Sequence, residues 1–426
     1  MPNPQIFKTS FFLILFLSIL QLSKAQDIPA GSYNKVVEGF DWGAAVSKVI
    51  IPLEESTDGI NPGEYRVNAT RRSRCFATGT SSLQGDRLIL GGYVSDTRGN
   101  RLANGNHATL ILAVGPDLSI GSPMQYFWGT CQGTQWVYYS LEVTHPATGK
   151  SWNREHQQVS PIVDQFDLTG SYTHENRQPL TYAAYTPIKK TAEKSPLIIW
   201  LHGGGEGGTD TTIPLLANKA TNYASEGIQS LFGGAFVLVP QCQGAWMHNK
   251  KGVSTWGKEN DIYNESLMAL IRDYVNRHPE IDQDRIYVGG CSNGGYMSLK
   301  LMLLYPDYFA AAYISALAYQ SKFLSDQELR SIAHKPIWFV HSADDQVTPP
   351  RETAVPVYDR LIKAGAKDVH LSLYDHVIDL YGTYGGAHYR YNGHLSWIYV
   401  HANHAAKFMD GAHLTIMEWM ASKKLN

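Results

Sequence analysis

The chain carries almost no excess of charge of either sign: 36 Lys and Arg stand against 38 Asp and Glu, a net charge of −2 at pH 7. Nucleic acid and anionic membrane surfaces select basic patches, so neither is expected as the main partner. Long apolar runs are scarce too. The most pronounced one, Phe11 to Leu20, is too short for a comfortable membrane span of about 20 residues, and no later segment approaches that length. Cysteine is rare, with 4 in 426 residues. None follows the apolar run closely, which leaves lipid anchoring through an amino-terminal cysteine without support. Charged residues make up only 17% against 43% hydrophobic, a balance that excludes disorder and allows a sizeable core. Nothing in the composition bears on oligomeric state.

The amino terminus reads as a targeting signal. Lys8 precedes the apolar run, and Ser23-Lys24-Ala25 ahead of Gln26 puts small residues at the positions a signal peptidase reads. A cleavable signal over residues 1–25 is expected, with the mature chain secreted or periplasmic. Export gives the cysteines a chance to pair. Cys75 and Cys131 fall in the first part of the mature chain and Cys242 and Cys291 in the second, and the sequence leaves the pairing open.

Chemistry enters at residues 289–297, Gly-Gly-Cys-Ser-Asn-Gly-Gly-Tyr-Met. They follow the apolar run Ile286-Tyr287-Val288 and precede a helical stretch from Ser298 to Leu304, so Ser292 sits at the apex of a strand, a sharp turn and a helix. The pattern Gly290-x-Ser292-x-Gly294 is that of a nucleophile elbow, in which glycines permit a turn tight enough to present the hydroxyl. The five-residue pattern is unspecific without such context.

Serine needs a base, the base an orienting acid, and the reaction a pair of donors for the oxyanion. A buried strand, Pro196 to Leu201, runs into His202-Gly203-Gly204-Gly205-Glu206-Gly207-Gly208, a loop able to bring a backbone N–H near Gly204 to a carbonyl oxygen; the second donor is expected on Asn293. Lys335 to Val340 is another buried strand and ends in His341-Ser342-Ala343-Asp344-Asp345-Gln346-Val347-Thr348-Pro349. The register from His341 selects Asp345 as the acid and leaves Asp344 solvated or capping the loop. Seven histidines follow Asp345. The base belongs in the loop between the last strand and the last helix, which leaves His376, His388 and His394. Gly393-His394-Leu395-Ser396-Trp397 offers the best setting, so His394 is expected to be the base and the other two surface histidines. Trp246, Met247, Tyr296 and Trp397 are candidates to line the substrate pocket.

On these segments, together with Val239-Pro240-Gln241-Cys242, the chain from about Asp167 onward resembles an α/β-hydrolase of the prolyl oligopeptidase-like and carboxylesterase group. The resemblance implies a mostly parallel sheet with helices on both faces, covering residues 166–426. One departure is Gln243-Gly244-Ala245-Trp246-Met247, where relatives tend to have Pro-Thr before an aromatic-Trp-Met sequence. Residues 26–165 differ in character. Short runs, Lys48–Leu53, Arg87–Val94, His107–Val114 and Trp136–Val143, alternate with turn-rich breaks and predict a β-sandwich. With its Asp41-Trp42-Gly43 entry this region resembles the immunoglobulin-like domain found ahead of some secreted esterases; it can gate or position substrate, or serve as a structural cap.

The segment is too short for a β-propeller at about 40 to 45 residues per blade, so gating of oligopeptides by that device is excluded. Nor is there an insertion between Ser298 and Ala333 long enough for a large lipase lid. The expected function is hydrolysis of small or polymer-linked carboxylic esters by a Ser-His-Asp triad, with no metal or organic cofactor required. The alternative among enzymes is a serine peptidase acting on short peptides. A catalytically inert glycan-binding protein is the alternative outside enzymes.

Overall fold

A computed structural model describes residues 27–75, 79–127, 131, 133–175, 177–409 and 411–425. The expected signal segment lies outside the described residues. Two sheets form the β-rich first part. One runs in the order Arg154–Val159, Ser32–Phe40, Gly43–Thr57, Gly105–Leu112, Ile89–Ser95, and the other Lys150–Trp152, Tyr138–His145, Arg66–Cys75, Gly79–Asp86. The strand Arg66–Cys75 shows why they stack: Val67, Ala69, Arg71, Ser73 and Cys75 are buried while Arg66, Arg72 and Arg74 are exposed, the period of two of a half-covered sheet. Tyr33, Val37, Val46, Val49, Leu141 and Val143 fill the space between the sheets.

Two strands differ from expectation. In the run from Arg87 the strand is Ile89–Ser95; Arg87 stays outside it, its N–H donating to the Val67 carbonyl at 2.8 Å and its buried guanidinium to the carbonyls of Val46 at 3.0 Å and Ala113 at 2.8 Å. The run from Trp136 is two strands, Gly133–Trp136 and Tyr138–His145, parted where the Val137 N–H donates to the Pro123 carbonyl at 2.9 Å. Gly133–Trp136 instead pairs antiparallel with Met124–Phe127 in a separate hairpin. Cys75 is bonded to Cys131, whereas Cys242 and Cys291 are free and buried. No bridge braces the floor of the elbow.

The second part is an eight-stranded sheet in the order Asp167–Tyr172, Leu180–Tyr185, Phe236–Gln241, Ser195–Leu201, Ile281–Cys291, Ala311–Ser315, Ile337–Ser342, Val369–Tyr374. Pairing is antiparallel at the first two junctions and parallel through the other five. The strand Ser195–Leu201 is apolar throughout because both faces are covered. Leu197, Ile199 and Leu201 pack with residues of the helices Asn264–Arg277, Asn293–Leu304, Asp326–Ile332 and Ala354–Lys363. Ile198 and Trp200 face the other way, toward Glu226–Phe232, Trp397–His401 and Ile416–Ala421. The interior of the sandwich is continuous with this second face.

Between the strands Ser195–Leu201 and Phe236–Gln241 the chain forms three short pieces: Thr212–Ala217, a 3-10 turn Ala220–Ala224, and Glu226–Phe232. Lys219 adopts a left-handed φ of 57° between the first two, and the Ser225 side chain caps the third by accepting from the Ile228 N–H. The architecture is the α/β one expected, an all-β sandwich ahead of a mostly parallel sheet with helices on both faces.

Candidate active site

The parallel strands end on one edge of the sheet, and Ser292, Asp345 and the loop after Leu201 all follow strand ends there. Ser292 lies between the strand Ile281–Cys291 and the helix Asn293–Leu304, with φ 55° and ψ −112°. A non-glycine residue in that conformation is strained and must be held by its surroundings. The Ser292 N–H donates to the Ser315 carbonyl at 3.0 Å, and its own carbonyl accepts from the Tyr296 N–H at 2.9 Å. Gly294 packs so closely that any Cβ there would overlap the Leu201 carbonyl. The helix start also leaves N–H groups, Asn293 first among them, without partners inside the helix.

The loop after Leu201 is fixed through the wholly buried His202. Its Nδ1–H donates to the Gly203 carbonyl at 2.6 Å, while Nε2 accepts from the Cys242 N–H at 3.3 Å. Burial lowers this imidazole to about 4, so it stays neutral in that tautomer at ordinary pH. A trans peptide sets N–H opposite C=O, so holding the Gly203 carbonyl also aims the Gly204 N–H. Gly204 lies next to Asn293, whose side-chain carbonyl accepts from the Trp246 N–H at 2.5 Å. The two residues expected to carry the oxyanion donors are thus neighbours.

Asp345 and His394 meet. The His394 Nδ1–H donates to Asp345 Oδ2 at 2.9 Å. The same carboxylate, 1% exposed, accepts from the Val347 N–H at 2.8 Å, the Thr348 N–H at 3.0 Å, the Thr348 hydroxyl at 2.8 Å and His341 Nε2–H at 3.1 Å. Burial alone would raise Asp345, but hydrogen bonds from His341 and His394, the charge of His394 and the Thr348 N–H together hold it well below the usual carboxylate range. His394 sits in the 3-10 turn Gly393–Leu395, its N–H bound to Asn392 Oδ1 at 2.9 Å and its ring edge-on to Trp397 at 5.5 Å.

Other residues depart from the sequence reading. His376 and Asp344, expected as separate surface groups, are partners: His376 Nδ1 and Asp344 Oδ2 are 2.8 Å apart in a second pair beside the first. His388 is exposed. Trp246 and Tyr296 are fully buried and lie in the core rather than on an open pocket wall. The reason is polar anchoring: the Trp246 indole donates to the His202 carbonyl at 3.2 Å, and the Tyr296 hydroxyl donates to Asp261 at 2.8 Å. Met247 is 2% exposed beside them, and Trp397 is 7% exposed against His394.

The sequence assigns no role to His341 or Thr348, which hold Asp345, or to Glu206. Burial raises the Glu206 carboxyl to about 7, against hydrogen bonds from Thr134 and Asn218 and the charge of His394. A conspicuous carboxylate in a glycine loop was the available signal. Burial likewise pushes the Cys242 and Cys291 thiols up, so both behave as small apolar groups.

Residues 32–156 match the esterase Ig-like N-terminal domain, and residues 185–378 match the phospholipase/carboxylesterase family. Its second part is an α/β-hydrolase. This α/β-hydrolase superposes on a thermostable esterase with a TM-score of 0.73 and 21% identity, covering 92% of this chain and 99% of that one, a likeness of fold. It is 28% identical over 181 residues to a poly(3-hydroxybutyrate) depolymerase of Ralstonia pickettii, which is 40% of this chain and 34% of that protein. It is 30% identical over 122 residues to poly(3-hydroxyalkanoate) depolymerase C of Paucimonas lemoignei, 28% of this chain and 27% of that one. The hydrolase therefore spans about a third of the length of these curated relatives or less. Among its described residues no helix is long and apolar enough to cross a membrane.

Proposed function

We propose that the protein is a secreted serine hydrolase that cleaves carboxylic esters through an acyl-enzyme. The observation carrying this reading is the 2.9 Å bond from His394 Nδ1–H to the buried Asp345, at the same sheet edge as the strained Ser292. Because Nδ1 carries the proton given to Asp345, Nε2 of His394 is free to accept one. It takes the Ser292 proton as Oγ attacks the ester carbonyl, and the N–H groups of Gly204 and Asn293 receive the developing oxyanion. Collapse breaks the C–O bond, and His394 returns the proton to the departing alcohol. Water, deprotonated by the same imidazole, then attacks the acyl-enzyme and restores Ser292. Asp345 stays ionised throughout, orienting the ring and stabilising the imidazolium.

The substrate class is small or polymer-linked esters. The resemblance to two proteins named as polyester depolymerases adds hydroxyalkanoate esters to those worth assaying. The test is a fluorophosphonate probe with adduct mapping, run on wild type and Ser292→Ala against short-chain, feruloyl, 3-hydroxybutyrate and peptide substrates. Labelling of Ser292, with ester turnover abolished in the variant, is expected. An unlabelled, inactive wild type would sink the reading, and turnover of peptides but not esters would replace it with a serine peptidase.

A further inference from the structure

The hairpin of Met124–Phe127 and Gly133–Trp136 belongs to the sandwich in sequence but reaches across to the glycine loop of the hydrolase. The Thr134 N–H donates to the Gly205 carbonyl at 2.6 Å, and the Thr134 hydroxyl donates to Glu206 Oε1 at 3.2 Å. The Trp136 indole adds a bond to the Thr212 hydroxyl at 3.2 Å. Contact is close enough that a Cβ on Gly133, which has φ 109°, would lie 2.8 Å from the Gly205 carbonyl oxygen. Tyr126 covers Gly205 from the facing strand.

From the hydrolase side, Gln241 Nε2–H donates to the Glu206 carbonyl at 2.9 Å. The Glu206 N–H turns back to the Gly203 carbonyl at 3.4 Å, a long bond. The buried carboxyl of Glu206 lies against Gly203 and against Cys291, the residue before Ser292. Gly204 is therefore the centre of a turn whose entry is held by His202 and whose exit is held by Thr134.

We propose that Thr134, through its hydroxyl on Glu206, is a positioning residue for ester hydrolysis that aligns the Gly204 N–H with the oxyanion. The proposal rests on the reading of Ser292, Asp345 and His394 given above. The hairpin thereby ties the sandwich to catalysis through one side chain, a more specific task than capping. Thr134 touches neither substrate nor reacting atoms. Its effect is confined to a donor used chiefly in the transition state, so it falls on kcat and spares KM.

The experiment is steady-state hydrolysis of 4-nitrophenyl acetate by the full mature chain as wild type, Thr134→Val, Thr134→Ser and Trp136→Phe, with thermal midpoints for each. Removing an oxyanion donor outright costs about 10²- to 10³-fold in kcat. Misaligning one is expected to cost about 10-fold in Thr134→Val, with KM within about twofold and with Thr134→Ser restoring most of the loss. Trp136→Phe, which loosens the same hairpin, is expected to lower kcat about threefold. Wild-type kcat in Thr134→Val, or equal impairment in Thr134→Ser, overturns the proposal. Should Thr134→Val lose its folded midpoint, Trp136→Phe decides, and unchanged kcat there overturns it. Failure of the triad reading looks different: wild type itself would neither turn over the ester nor take the phosphonate label.

Discussion

Asp345→Asn isolates the orienting role proposed for Asp345 with almost no change of shape. Five donors converge on this carboxylate: the N–H groups of Val347 and Thr348 on Oδ1, and the Thr348 hydroxyl, His341 and His394 on Oδ2. An amide has one acceptor oxygen, and the two backbone donors cannot turn away, so the amide oxygen takes the Oδ1 position. The NH2 group then faces three former donors. The Thr348 hydroxyl can rotate, and His341 Nε2–H retains the Thr348 carbonyl at 2.9 Å. His394 can only shift its proton to Nε2, where it blocks acceptance from Ser292. A triad locked in the wrong tautomer loses about 10⁴ in kcat, or about 5.4 kcal/mol of transition-state stabilisation. Turnover of 4-nitrophenyl acetate measures this, with Asp344→Asn as companion because the Asp344–His376 pair is the neighbouring arrangement that could be mistaken for it. A loss below tenfold in Asp345→Asn, or a larger loss in Asp344→Asn, refutes the assignment.

Glu206→Gln tests the buried carboxyl through stability. Its folded-state value of about 7 lies above the ordinary 4.5, so between those values the unfolded chain releases a proton that the folded one keeps. Stability therefore falls as pH rises through that window, by about 3 kcal/mol in all. Urea unfolding should find the variant gaining on wild type by about that amount from pH 4.5 to 7, and a flat difference would contradict it. The Cys75–Cys131 bond, with a sequence separation of 56, should contribute about 4 kcal/mol by loop-closure entropy. The double Ser variant should lose that stability in denaturant titration, while Cys242 and Cys291 resist thiol reagents until the chain unfolds.

The roles proposed for Ser292, Asp345 and His394 can be read from the sequence because each stands in a short local signal: glycines flanking a strand-to-helix turn, an aspartate in register with a strand-terminal histidine, a histidine in a loop with Gly393 and Trp397. The alternating strands and helices are legible too, since burial on both faces leaves continuous apolar runs such as Pro196 to Leu201. Tertiary structure alone decided which side chains meet. Trp246 and Tyr296 read as pocket aromatics, but hydrogen bonds to His202 and Asp261 draw them into the core. Asp344 and His376 are 32 residues apart, and Thr134 and Glu206 are 72 apart. Neither pair leaves a periodicity or spacing to read. Local conformational preference acts over a few residues and is written in the sequence. A hydrogen bond across a domain junction exists only once packing has brought its two ends together.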